Sequence, residues 1–169
     1  MRYREFAPGP ALEGLVHRFW TLEGPADATA AEFQRAMPDG RPELVFNLGD
    51  PFERRHEGGR LERQALALLV GPTTRAMLVR PTGRVDLVGV RLAPGGWPAL
   101  LDVAGEALLD RAVALGETSR RWRADLLEPL AEAPTGDGRV AILERRLRRF
   151  AGSEPRGDRR PDPRLRRAL

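Results

Sequence analysis

The chain has 169 residues, enough to bury a core as one domain or as one domain with an appendage. It has no cysteine, which excludes disulfides and thiolate chemistry. Its sequence shows no apolar run long enough to cross a bilayer and no signal peptide at its start, so a soluble cytoplasmic protein is expected. All 28 basic residues are arginine, but residues 151–169 hold six of them against three acids. The other 150 carry 22 basic and 21 acidic groups, so the net charge of +4 describes a tail, not a DNA-binding face on the body.

Residues 12–23, LEGLVHRFWTLE, alternate as a strand does. Strict alternation puts Val16, Arg18, Trp20 and Leu22 on one face and Leu15, His17, Phe19 and Thr21 on the other. Residues 33–37 read as a second strand, ended by Pro38-Asp39-Gly40, and residues 43–48 as a third. Residues 50–63 are polar around Gly58-Gly59, which suits a hairpin or a loose loop. Residues 66–70 and 76–79 are short apolar strands separated by Gly71-Pro72-Thr73-Thr74. The densest strand signal is residues 84–92. Val85, Leu87, Gly89 and Arg91 share one of its faces, and Asp86, Val88, Val90 and Leu92 the other. Pro94-Gly95-Gly96 then stops it.

Beyond this hinge the apolar spacing turns helical. Residues 97–114 read as one or two short helices broken at Gly105, and residues 119–133 as a second unit, capped by Ser119 and frayed by Pro129. A third starts at Asp137 or Gly138 and carries Val140, Leu143, Leu147 and Phe150 in one narrow seam. Such a seam suits a two-helix dimer contact, or equally docking on Trp122, Leu126 and Leu130 of the same chain. Residues 152–163 have linker composition, and Asp162-Pro163 opens what reads as the start of a truncated further domain. The expected fold is α+β: a small β-barrel or sandwich over residues 1–96, a helical segment over 97–151, and a linker with the start of another domain over 152–169.

The sequence gives no positive sign of catalysis. His17 and His56 lie far apart without a His-x-His pair or a cysteine neighbour, so neither a metal nor another cofactor is implied. The candidates for ligand contact are polar or aromatic residues set in apolar strands: Arg18, Trp20, Arg35, Phe46, Arg91 and, at the hinge, Trp97. A buried arginine requires an acid, which is either internal (Asp39, Glu43 or Asp86) or a ligand.

Taken together, VHRFWTLE, MPDGRPELVFNLGD, LVGPTTR, VGVRLAPGGWPALL and LLDRAVAL resemble, in order and spacing, the N-terminal region of AraC-type transcriptional regulators. The final PDPRLRRAL resembles the run-in to that family's C-terminal domain of two helix-turn-helix units. The resemblance implies a cupin-like barrel that senses an unknown small-molecule effector, a helical segment for homodimerisation, and DNA binding only through a domain absent here. No membrane partner is implied. A stand-alone cupin-like small-molecule-binding protein or isomerase-type enzyme is the alternative, and a pure dimerisation module with a filled barrel stays open beside it.

Overall fold

The alternation in VDLVGVRL dictates a strand with two dry faces. In a computed structural model of the chain it is β9 (Val85–Leu92), buried along nearly its whole length. The structure describes residues 1–25, 32–37, 39–94, 96, 100, 105–118, 122 and 124–151. Among these, β9 is an interior strand of a six-stranded antiparallel sheet in the order β1-β2-β9-β4-β7-β10. Its companions are β1 (Arg2–Phe6), β2 (Val16–Gly24), β4 (Glu43–Asn47), β7 (Ala67–Val70) and β10 (Ala112–Ala114). A second antiparallel sheet follows the order β3-β8-β5-β6, from β3 (Gln34–Ala36), β8 (Met77–Pro81), β5 (Phe52–Arg55) and β6 (Leu61–Arg63). The two sheets are not closed into one ring, and the whole is α+β with a sandwich or barrel-like β unit.

Among the described elements the α-helices are α1 (Leu115–Thr118), α2 (Leu127–Glu132) and α3 (Gly136–Ala151). Thr135 starts α3: its Oγ1 accepts from the Gly138 N–H at 3.1 Å, which satisfies one of the free donors of the first turn. Gly136 sits so close to Phe6 and Thr21 that an added Cβ would lie 3.3 Å from each. The start of α3 therefore rests directly on β1 and β2. Val140, Leu143 and Leu147 follow at helical spacing and are buried.

Each face of the large sheet has its own core. On one, Phe19, Leu44, Phe46, Leu69, Val88, Val90 and Leu92 meet Leu108, Leu115, Trp122, Leu126, Leu130 and the α3 residues. Trp122 is fully buried there, donates to the Leu100 carbonyl at 3.2 Å and meets the Phe150 ring edge-on at 5.0 Å. On the other face Trp20, Val85 and Leu87 form a smaller cluster with Leu22, Val45 and Phe52. The two faces of β9 are those its alternation predicts.

In three places the elements differ from the sequence reading, and in a fourth, residues 50–63, the structure selects one of its two options. A β-bulge between Val16 and Arg18 leaves His17 as an extra residue against β9. Val16 thereby joins the helix-side core beside Phe19, while Arg18, Trp20 and Leu22 keep the opposite face. β1 is an additional edge strand, missed because RYREF is largely exposed and lacks apolar alternation. Residues 50–63 form the β5–β6 hairpin, with Gly58 and Gly59 at φ 83° and 84° in its turn. Residues 112–114 are not helical: they are β10, paired with β7. A clamp holds β10 there, because Asp110 accepts from the Thr74 N–H and Oγ1 at 2.6 Å each, and the Gly71 N–H donates to the Arg111 carbonyl. The Ser119 cap and the tail at residues 152–169 lie outside the described residues.

Candidate functional site

The face of the large sheet turned away from the helices is polar at one end. Register places Arg18, Arg91 and Glu43 side by side across β2, β9 and β4. Two arginines directly opposite each other repel unless acids intervene, and here acids do. Arg91 Nε lies 2.6 Å from Glu43 Oε1 and 2.9 Å from Asp39 Oδ2, and Arg91 Nη1 lies 3.7 Å from Glu5 Oε1. Glu5 also stands 4.0 Å from Arg18. Burial works against the Arg91 charge, but Glu43 and then Asp39 outweigh it and hold its pKa above the ordinary arginine value. For Glu43 burial dominates and leaves the carboxyl above the usual carboxylate range despite Arg91.

Trp20 occupies the next row. Its indole lies over Gly89, where a Cβ would come within 2.2 Å of Cε2, so only glycine leaves room for the ring. The Trp20 Nε1 is buried and has no acceptor among the described residues. Tyr3 stands beside it, with ring centroids 6.3 Å apart, and donates its hydroxyl to Glu5 Oε1 at 2.7 Å. Burial first, then Glu5, pushes the Tyr3 pKa up to about 12.

Where the two sheets fail to meet, between the β5–β6 hairpin and β10, lies a cleft of about 590 Å³. That volume falls within the range of small-molecule sites. Leu68, Ala112 and Ala114 supply apolar wall, while Arg54, His56, Arg60, Arg63 and Arg111 on one side of the balance and Glu62 and Glu117 on the other supply charge. β5 alternation puts Phe52 in the smaller core and Arg54, two residues on, in the cleft wall. Glu62 is directly opposite Arg54 in the hairpin register, yet its carboxylate is engaged by His56 Nε2 and, at 3.5 Å, by Arg60. Asp110, on the rim, is held by Thr74, whose hydrogen bonds keep its carboxyl below the ordinary range.

The six residues singled out in sequence do not form one site. Arg18, Trp20 and Arg91 share the polar face, and Arg91 satisfies its charge internally with Glu43 and Asp39. Phe46 belongs to the opposite face, where its ring is 6.4 Å from that of Trp122, so it is a core residue rather than a wall of the same pocket. Arg35 is exposed on β3 of the smaller sheet. Trp97 lies outside the described residues. Nor is the Val140–Leu143–Leu147–Phe150 seam open to a partner: its first three members are buried and Phe150 packs on Trp122 in the same chain. The cleft residues were missed. Their available signal was the alternation of Phe52, Arg54 and His56 leading into a glycine turn.

Among the described residues no group of three or more His, Cys, Asp or Glu side chains is placed to hold a metal ion. Among them, too, no helix is long and apolar enough to cross a membrane. Compared with known families, residues 4–114 match the model described as Domain of unknown function (DUF6597). The match runs from β1 to β10 and so covers both sheets. The curated proteins contain no match to the chain.

Proposed function

The chain belongs to the DUF6597 family, and from that premise we propose that it is the effector-sensing part of an AraC-type transcriptional regulator. The observation that carries this reading is the division of labour in the large sheet. One face is sealed by Trp122, Leu130, Leu143 and Leu147, while the other carries only a small apolar cluster with a polar end and borders a cleft of ligand size. A receptor domain needs both: a receptacle open to a small molecule, and a rigid element packed behind it that leads toward an output. α3 is such an element, lying against β9 and β2. The sequence resemblance puts the DNA-binding domain after it.

In this reading the protein is cytoplasmic and non-enzymatic, and it forms a homodimer through a surface other than the Val140–Phe150 seam. DNA is bound only through helix-turn-helix units beyond residue 151. The test is a mobility-shift titration of the protein encoded by the whole locus on its own promoter, with and without small molecules. The reading requires sequence-specific binding by that protein, and at most weak, salt-sensitive binding by residues 1–169. A locus that encodes no helix-turn-helix units overturns it, as does an operator footprint made by residues 1–169 alone. The second reading, a stand-alone binding protein or isomerase-type enzyme, draws its support from His56 set against Glu62 in the cleft.

A further inference from the structure

We propose that the cleft between the β5–β6 hairpin and β10 binds a small organic anion, with Arg54 as the anchor of its carboxylate or phosphate group. The inference begins with an imbalance of charge. Four arginines (Arg54, Arg60, Arg63 and Arg111) and His56 line the cleft against three acids, Glu62, Asp110 and Glu117. In the β5–β6 register Glu62 is the natural partner of Arg54, yet His56 and Arg60 take its carboxylate. Of the other two acids, Asp110 is committed to Thr74 and Glu117 stands exposed on α1. Among the described residues no carboxylate pairs with Arg54, although its side chain is half-buried. A guanidinium partly withdrawn from water and lacking a counter-ion is a site for an acidic guest. Its planar fork favours carboxylate and phosphate over a spherical ion, because both offer two oxygens at matching spacing.

The rest of the cleft sets the guest's other end. Ala112 and Ala114 carry small side chains on β10, and Leu68 lies beside Ala114 on β7. They make an apolar patch in the cleft, suited to an aliphatic or aromatic body. The guest is thus an amphipathic monoacid that fits within about 590 Å³. This deepens the effector-sensing reading by naming the effector's chemistry, and it rests on that reading only for its biological meaning.

The experiment uses residues 1–169 and reads binding by calorimetry and thermal shift. The probes are hexanoate, benzoate and phenyl phosphate, with benzamide and hexanol as neutral counterparts and inorganic phosphate as a bare anion. The organic anions should bind and raise the midpoint, and the neutral counterparts should do neither. Binding of inorganic phosphate as tight as that of phenyl phosphate would overturn the apolar-wall half of the proposal. Arg54→Gln should weaken binding about tenfold or more, the loss expected for one charge-assisted bond. Arg145→Gln, on the exposed side of α3, should leave binding unchanged. Ala114→Leu fills the cleft without touching Arg54 and should also abolish binding, which keeps the test valid if Arg54→Gln disturbs the hairpin. Absence of binding by every anionic probe overturns the proposal, and so does binding that survives both cleft variants. Neither outcome bears on whether the locus encodes helix-turn-helix units, so the regulator reading stands or falls separately.

Discussion

The buried ion pair between Asp86 and Arg139 gives the sharpest test of how the sheet holds its helices. Asp86 breaks the apolar run on the helix side of β9, and Arg139 is the first long side chain of α3. Arg139 Nη1 lies 2.5 Å from Asp86 Oδ1 and Nη2 lies 3.2 Å from Oδ2, with both side chains exposed by no more than 10%. Removing the acid leaves a buried guanidinium whose other acid neighbour is Glu23, at 3.8 Å. Breaking one half of a buried pair costs about 3–5 kcal/mol, and Glu23 sets the expectation for Asp86→Ala at the lower end, about 3 kcal/mol. For a chain of this size that lowers the thermal midpoint by roughly 6–12 °C. Arg139→Met should cost about half as much, because the stranded carboxylate keeps the well-solvated Arg84 at 2.9 Å. The double variant should recover most of the loss, since no uncompensated charge is left inside. Urea unfolding followed by circular dichroism gives all three values and their coupling. A loss below about 1 kcal/mol for Asp86→Ala, or strict additivity in the double variant, would refute the reasoning.

Three further outcomes follow from the same geometry. Tyr3 is the only tyrosine in the chain, so ultraviolet titration reports it alone, with an expected midpoint of about 12 that Glu5→Gln moves back toward 10. Because its pKa is raised on folding, its share of stability is complete below pH 10 and is lost as pH climbs toward 12; a native midpoint near 10 would contradict the Glu5 contact. Gly89→Ala drives a methyl into the Trp20 indole and should cost about 1–3 kcal/mol by overpacking, with a shift in tryptophan emission; an unchanged urea midpoint would show that the ring does not lie over β9. Leu147→Glu puts a charge at a fully buried position and should unfold the helical layer, losing about 3 kcal/mol or more; a folded monomer by light scattering, with dichroism intact, would mean the seam is a subunit contact after all.

How much of this was legible in the sequence depended on whether the causes were local. β9 could be read residue by residue because it alternates unbroken and both its faces are apolar. β2 could be read as a strand, but the side taken by Val16 could not, since a bulge at His17 is a property of the pairing with β9. β10 was misread as helix because Ala-Val-Ala amid leucines has no strand signal of its own. It becomes a strand through the edge of β7 and the Asp110–Thr74 clamp, which joins residues 36 positions apart. The same limit applies to the site. That Arg91 needs acids follows from its strand face, and two of the acids named in advance, Asp39 and Glu43, are there. That Arg54 is left without one follows only from which residues claim Glu62, and no spacing rule reports a competition of that kind.

The placement of β10 constrains how a guest in the cleft could be felt elsewhere. A ligand changes a protein only through contacts that differ between two states, so the wall it touches must also touch something else. Arg54 lies in the small sheet and His56 at the turn of its hairpin. β10 is different: Ala112 and Ala114 face the cleft, while Val113 between them packs against the helix-side core and Leu115, the next residue after the strand, is buried within it. Three residues long and, among the described residues, paired to β7 alone, β10 is held more weakly than the interior strands. Any displacement of it carries Leu115 along and reaches the layer where Trp122, Leu130 and α3 pack. β9 offers a worse route, because its ladder with β2 and β4 and the Asp86–Arg139 pair all resist sliding. An effector signal entering at the cleft would therefore leave through β10, the element whose strand character the sequence does not encode locally.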